Sequence, residues 1–291
     1  ASAAGQAEFI LTLLKFIPLI VIPIFALPHF DLNNFVLDEG INSLPASTIL
    51  GHVTLITLWG FVGLECTTTA AGSVINPSKT IPKAILLGTS TVAVIYLLNS
   101  IGVMGIISGK ELILSQAPYV DATNKIFGHH MAIIISLISC IICIGTLNAW
   151  MLVSGQIALG LAESGLMPKI FAYRNQHEAP AFSIAMSALG MIPMLILTAS
   201  SSFAQQVTTI IDVSVTAFLF VYLACCLAFF CLHLRSKTLN FAKLSFGLVA
   251  TFFCLWVIFE TPLITLLSAS SFTICGVPLY FLWYRKQKIK A

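Results

Sequence analysis

Apolar residues run along this chain in long blocks, and charged residues fall almost wholly between them. A helix that crosses a bilayer needs about 20 mostly apolar residues. Eight blocks reach that length, at roughly 9–27, 47–74, 84–107, 131–159, 181–199, 206–232, 243–260 and 262–284. They are apolar throughout rather than alternating, which favours helices over the strands of a transmembrane barrel. The connections are short, and no stretch reads as a soluble domain or a low-complexity linker. The pattern predicts an all-α polytopic membrane protein with about eight transmembrane helices.

Composition agrees. Of the 291 residues, 58% are hydrophobic and only 9% are charged, where soluble domains carry about 25% charged residues. That excludes an ordinary soluble protein and a disordered chain. It also excludes a nucleic-acid binder, which needs a basic face. The basic residues are distributed unevenly. One set of loops holds Lys79 and Lys83, Lys169 and Arg174, Arg235 and Lys237, and the tail Arg285, Lys286, Lys288 and Lys290. The alternate loops hold only Lys110 and Lys125, with the acidic Asp31, Asp38 and Glu39. The excess of Lys and Arg marks the cytoplasmic side. Both termini are therefore expected in the cytoplasm, in a cytoplasmic (inner) membrane.

The eight cysteines lie in or beside apolar blocks, where thiols behave as small hydrophobes. Cys140 and Cys143 form a C-x-x-C inside an unbroken apolar run, without the polar access or further ligands of a metal site. Hydrolase, zincin and P-loop motifs are absent, and no cofactor or metal is expected. The first eight residues lack the n-region and h-region of a signal peptide. A fragment or a processed chain is expected.

The second block is too long for a straight crossing and contains Gly60-Phe61-Val62-Gly63. Two glycines near mid-span loosen the helical ladder. Irregular backbone at membrane depth is tolerated where it lines a cavity, as in transporters. Close helix packing on small residues is the alternative. Glu65 follows within the same block. A carboxyl there is costly unless it is functional or held by a neighbouring helix. Trp59 precedes the glycines, and Trp150 lies in the middle of the fourth block. Each offers an indole face for a cation or an alkyl chain, or simply packs. Trp256 and Trp283 read as packing or interfacial anchors. Asp212 is either a second ionisable group in a cavity or a solvated residue near the outer interface.

The stretch Leu58-Trp59-Gly60-Phe61-Val62-Gly63-Leu64-Glu65 is followed by Ala71-Gly72 and by Asn76-Pro77-Ser78-Lys79-Thr80-Ile81-Pro82-Lys83-Ala84. It resembles the sixth helix and following loop of the amino acid–polyamine–organocation (APC) permeases. The resemblance is strongest to their basic amino acid and polyamine antiporters, such as the arginine/agmatine and putrescine/ornithine exchangers. It continues through Gly105, Ala117-Pro118-Tyr119, Gly145 to Trp150, Ser154-Gly155-Gln156 and Gly165 to Phe171, and so covers the chain.

This resemblance implies a partial APC inverted-repeat (LeuT-like) fold, corresponding to helices five to twelve of the family plan. Residues 1–45 would hold the last helix of the first repeat and an outer loop. Residues 46–235 would form the second five-helix repeat, and 236–291 two additional helices and a basic tail. The chain would then be truncated at its N-terminal side. By the same resemblance, Trp59 is a gating aromatic, Trp150 a second aromatic wall, and Gly60, Phe61 and Gly63 the unwound segment that meets substrate. Glu65 is the proton-coupling carboxyl, and Ser214 falls near a site serine. Cys66 and Asp212 depart from the family pattern.

The expected function is an amino acid permease or antiporter, for cationic amino acids or polyamines, working by alternating access. The expected partners are that small-molecule substrate, protons, the lipid bilayer, and the missing N-terminal helices or a second copy in a homodimer; nucleic acid is not among them. A degenerate, non-transporting remnant or assembly partner is the alternative. A membrane-embedded enzyme would need a polar catalytic cluster that the sequence does not show.

Overall fold

A computed structural model of the protein describes residues 2–36, 45–66, 68, 74–176, 179–199, 202–235 and 241–288. Asp38, Glu39, Ala71, Gly72, Lys237 and Lys290 lie outside the described residues, as do the side chains of Trp283 and the basic tail. The helices are α1 (Ser2–Ala26), α2 (Ala46–Trp59), α3 (Pro77–Ile106), α4 (Gly109–Leu114), α5 (Pro118–Phe127), α6 (His129–Glu163), α7 (Ala181–Thr198), α8 (Phe203–Arg235), α9 (Phe241–Glu260) and α10 (Leu263–Lys288). Among the described residues, six helical segments are long and apolar enough to cross a membrane. The two other expected spans are shorter apolar stretches, Ala181–Ile196 and Leu263–Pro278. The protein is therefore an all-α, multi-pass membrane protein.

The chain divides into two compact units. The first comprises Ala1–Ile41, Leu64–Ile157 and Ala179–Ser187; the second comprises Asn42–Gly63, Ala158–Glu178 and Ala188–Ala291.

In the first unit α1 packs along α3. Ile22 and Ala26 of α1, Val103 and Ile106 of α3, Ile107 just after α3, and Ala122 of α5 form its buried core. Small residues allow the close approach: a Cβ built on Gly102 would lie 3.1 Å from the Cα of Pro23. At Gly105 it would collide with the ring of Phe30. The Gly105 carbonyl also accepts hydrogen bonds from the Asp31 backbone N–H (2.8 Å) and the Asn34 side-chain amide (2.9 Å). Beyond α3, Ser108 and Glu111 close a capping box at the start of α4. Lys125 of α5 pairs with Glu111 at 2.7 Å. The Lys125 hydrogen bond, with help from Ser108, holds the exposed Glu111 carboxyl below the usual carboxylate range. Tyr119, at the start of α5, donates to the buried Asn99 at 2.7 Å. Burial, and secondly Tyr96, push the Tyr119 phenol up to about 12.

In the second unit α8 packs on α2, α9 and α10. Leu55, Val215, Leu219, Cys254 and Val257 form the buried core, with Leu58, Ile211, Tyr222, Leu223 and Trp256 packed against it. Trp256 therefore serves in packing. A Cβ on Gly247 of α9 would lie 2.8 Å from the Phe229 ring of α8. A Cβ on Gly51 of α2 would lie 2.6 Å from the Cβ of Glu260 in α9.

Candidate functional site

The α-helix of the second predicted span ends at the paired glycines. α2 ends at Trp59. Gly60 donates to the Thr57 carbonyl at 3.1 Å, Phe61 to Leu58 at 2.9 Å and Val62 to Leu58 at 3.2 Å, so the last turn tightens and stops. Gly63 then adopts φ 109°, a region that glycine enters without the Cβ penalty of other residues. A short 3-10 turn over residues 64–66 follows. Glycine costs about 1 kcal/mol relative to alanine inside a helix, so the sequence itself favours a break here. Where α3 begins, Asn76 takes the left-handed conformation at φ 52°, just before Pro77. A residue before proline is driven out of the α region, and asparagine tolerates the left-handed alternative.

The expected site residues divide between the two units. Trp59, Gly60, Phe61, Gly63 and Ser214 fall in the second; Glu65 and Trp150 fall in the first. Trp59 is 53% exposed and Trp150 39% exposed. Phe61 lines a cavity of about 370 Å³ with Val53, Thr54, Thr57 and Leu58 of α2 and Phe253 of α9. Ser214 lines a different cavity of about 430 Å³ with residues of α7, α8 and α10, among them Met191, Met194, Phe218 and Phe272. The face of α8 that packs against α2 is instead the one carrying Ile211, Val215 and Leu219. Glu65 is half-buried, with its Oε1 enclosed, and its carbonyl accepts from the Thr68 hydroxyl at 2.7 Å. Leu64 beside it reaches Gly88 of α3.

Asp212 is half-buried on α8, within electrostatic range of His52 on α2. His52 belongs to no motif. The signal that could have found it is its place one turn before Leu55, an ionisable side chain inside an apolar block. Among the described residues, no group of three or more His, Cys, Asp or Glu side chains is placed to hold a metal ion.

A multi-pass helical membrane protein whose second predicted span has its α-helix end at paired glycines is the class these features define. The chain belongs to the amino acid permease family, whose model matches residues 1–282. It is similar to the cadaverine/lysine antiporter of Escherichia coli strain K12, with 26% identity over 259 residues, covering 84% of this chain and 56% of that relative. It is also similar to the putrescine transporter PotE of Haemophilus influenzae, with 29% identity over 208 residues, covering 71% of this chain and 48% of that protein. PotE of Escherichia coli is 25% identical over 223 residues, covering 77% and 51%. The chain thus spans about half the length of the curated relatives it matches. The APC resemblance read from the stretch around Trp59 to Glu65 holds, and these relatives lie in its basic amino acid and polyamine branch.

Proposed function

We propose that the chain supplies helices five to twelve of an exchanger of cationic amino acids and polyamines in the cytoplasmic membrane. On this reading residues 46–235 are the second repeat, and residues 236–291 are two additional helices and a tail. The observation that carries it is the break of α2 at Gly60–Gly63. An interrupted helix frees backbone groups at membrane depth, and binding sites of two-repeat transporters use such groups. The names of the relatives, one for cadaverine and lysine and two for putrescine, support substrates that carry ammonium groups.

Trp59 and Trp150 would present aromatic faces to the ammonium groups of the substrate. Gly60, Phe61 and Gly63 would meet its polar end, and Ser214 would add a hydroxyl. Glu65 would take up and release the coupled proton. Alternating access then needs no covalent step. The uneven spread of Lys and Arg supports cytoplasmic termini.

Ligand-dependent stability tests this reading. The chain is assembled with the family's first four helices, because the site is expected between the two repeats. Ligand at about 100 times its Kd stabilises the bound state by about 2.7 kcal/mol. Lysine, cadaverine and putrescine should raise the unfolding midpoint, and leucine should not. A shift with neutral amino acids alone would overturn the cationic assignment.

A further inference from the structure

Two contacts show that α8 and α9 run antiparallel. A Cβ on Gly247, early in α9, would lie 2.8 Å from the ring of Phe229 and 3.2 Å from that of Phe230, both late in α8. Cys254 and Val257, late in α9, share a core with Val215 and Leu219 further back in α8. At the connected end the two helices leave a groove of about 380 Å³. Cys225 and Phe229 of α8, with Phe246, Gly247 and Ala250 of α9, give it apolar walls. The ring of His233, one turn after Phe229, stacks on the Phe229 ring at 5.6 Å and 11° and backs that wall. Among the described residues that line the groove, Lys243 alone carries charge. It stands in the first turn of α9, at the connected end.

We propose that this groove seats one acyl chain of an anionic phospholipid, with the lipid's phosphate at Lys243. Position points to a lipid first. α9 is one of the six segments long and apolar enough to cross a membrane. From Lys243 to Ala250 the groove runs about 10 Å along it, less than half of a hydrocarbon core about 30 Å thick. A groove that starts at the end of a span and stops within one leaflet has the reach of a lipid tail. The walls agree, because below Lys243 they offer rings, thiols and small residues, which suit hydrocarbon and not a soluble anion. Phe246 is 76% exposed, so the wall it forms is open to the surroundings of the helix pair. Charge is the third argument. Arg235 ends α8, and the sequence adds Lys237 before α9. No Asp or Glu occurs between Asp212 and Glu260. A phosphate at this end of α8 and α9 therefore meets cations and no carboxylate from either helix.

The two parts of the lipid do different work. Lipid tails are as apolar as the groove, so the chain gains no hydrophobic driving force by entering it. It gains the dispersion contacts that an unfilled groove forfeits. Preference among lipids therefore rests on the headgroup. A lysine stem lies along apolar surface while its ammonium stays at the interface. That ammonium has three donors, so it serves a phosphate oxygen beside any other partner it holds. Basic pockets between spans bind anionic headgroups, and each Lys or Arg near an anionic surface strengthens attachment about fivefold. A lipid seated this way bridges α8 and α9 at the end where their shared core does not reach. The inference does not depend on which molecule the permease carries.

The test is native mass spectrometry of the 291-residue chain released from micelles that hold phosphatidylglycerol and phosphatidylcholine in equal amounts. Bound phosphatidylglycerol should exceed bound phosphatidylcholine. Lys243→Gln should lower that ratio about fivefold. Lys243→Arg should preserve it, and so should Lys169→Gln, which removes a cation from a different loop. Ala250→Trp fills the groove and keeps every charge, and it should lose the bound phosphatidylglycerol. Should that variant not fold, Ala250→Leu replaces it. Inorganic phosphate in large excess should not displace the lipid. An equal loss with Lys169→Gln would reduce the attraction to diffuse charge and overturn the site. Retention unaffected by the Ala250 variants, or displacement by inorganic phosphate alone, would overturn the seated chain. A dimer that Ala250→Trp dissociates would give the groove to a second copy instead and overturn the proposal as well.

Discussion

Asn99 donates its side-chain amide to the carbonyl of Leu19 at 2.8 Å. Leu19 lies four residues before Pro23, so it is the acceptor that Pro23, having no N–H, leaves without its helical donor. In a bilayer an orphaned carbonyl costs several kcal/mol unless a neighbour serves it. The second proton of the Asn99 amide goes to Ile95 at 2.8 Å, and its oxygen accepts from Tyr119. One buried side chain on α3 therefore repairs a proline in α1 and anchors α5.

Asn99→Leu removes that repair and strands two groups, the Leu19 carbonyl and the Tyr119 hydroxyl. Each buried unsatisfied group costs about 1–3 kcal/mol. Thermal unfolding should show a loss of about 2–4 kcal/mol. Tyr119→Phe, which leaves the repair of Leu19 intact, should lose only about 0.5–1.5 kcal/mol. Equal losses would show that the repair of Leu19 contributes nothing.

Gly105→Ala tests the close contact at the end of α3. The new methyl group meets the Phe30 ring, and the carbonyl of the same residue anchors Asp31 and Asn34. Overpacking typically costs about 1–3 kcal/mol. A lowered midpoint and faster hydrogen exchange at Asp31 are expected. Gly109→Ala, where a Cβ meets nothing within 4 Å, is the control and should change neither.

Most of the spans, and the end of α2 at the glycines, were legible in the sequence, because both rest on local facts. Apolar runs of the right length dictate helices, and Gly60 with Gly63 weakens the ladder whatever the surroundings. The packing of individual residues was not. Ser214 belongs by sequence to a polar cluster with Thr208, Thr209 and Asp212, yet it lines an apolar cavity against α7 and α10. Its direction is set by the rotation of α8 about its axis, which uniformly apolar helices do not encode.

The Glu111–Lys125 pair predicts a local response to acid. The Glu111 pKa is depressed in the folded state, so its contribution is present above the unfolded value and lost as pH falls through the folded value. Hydrogen exchange of residues 109–127 should accelerate below the ordinary glutamate range. Lys125→Met should already exchange faster near neutral pH and respond less to acid. The same acid response in both proteins would remove the pair from the account.

The break makes separate predictions for two tryptophans. Trp59→Leu should weaken binding of a cationic substrate by about 1–2 kcal/mol, the scale of a desolvated cation–π contact, with little change in thermal stability. Trp256 packs against the core of α2, α8 and α9, so Trp256→Leu should lower the midpoint and leave binding unchanged. Equal effects on binding would assign Trp59 to packing. Gly63→Ala forces alanine into φ 109° and should cost about 1–3 kcal/mol, read as a lower midpoint.

Exchange across a membrane separates a working exchanger from an inert assembly. Vesicles holding the chain assembled with the family's first four helices are loaded with lysine and given labelled cadaverine or putrescine outside. Saturable uptake is expected that rises when lysine is inside, that Trp59→Leu weakens, and whose pH dependence flattens with Glu65→Gln. Vesicles holding the 291-residue chain alone should show none, because one of the two broken helices of the site would be missing. Uptake that ignores the lysine inside, or full exchange by the 291-residue chain alone, would contradict the proposed exchange.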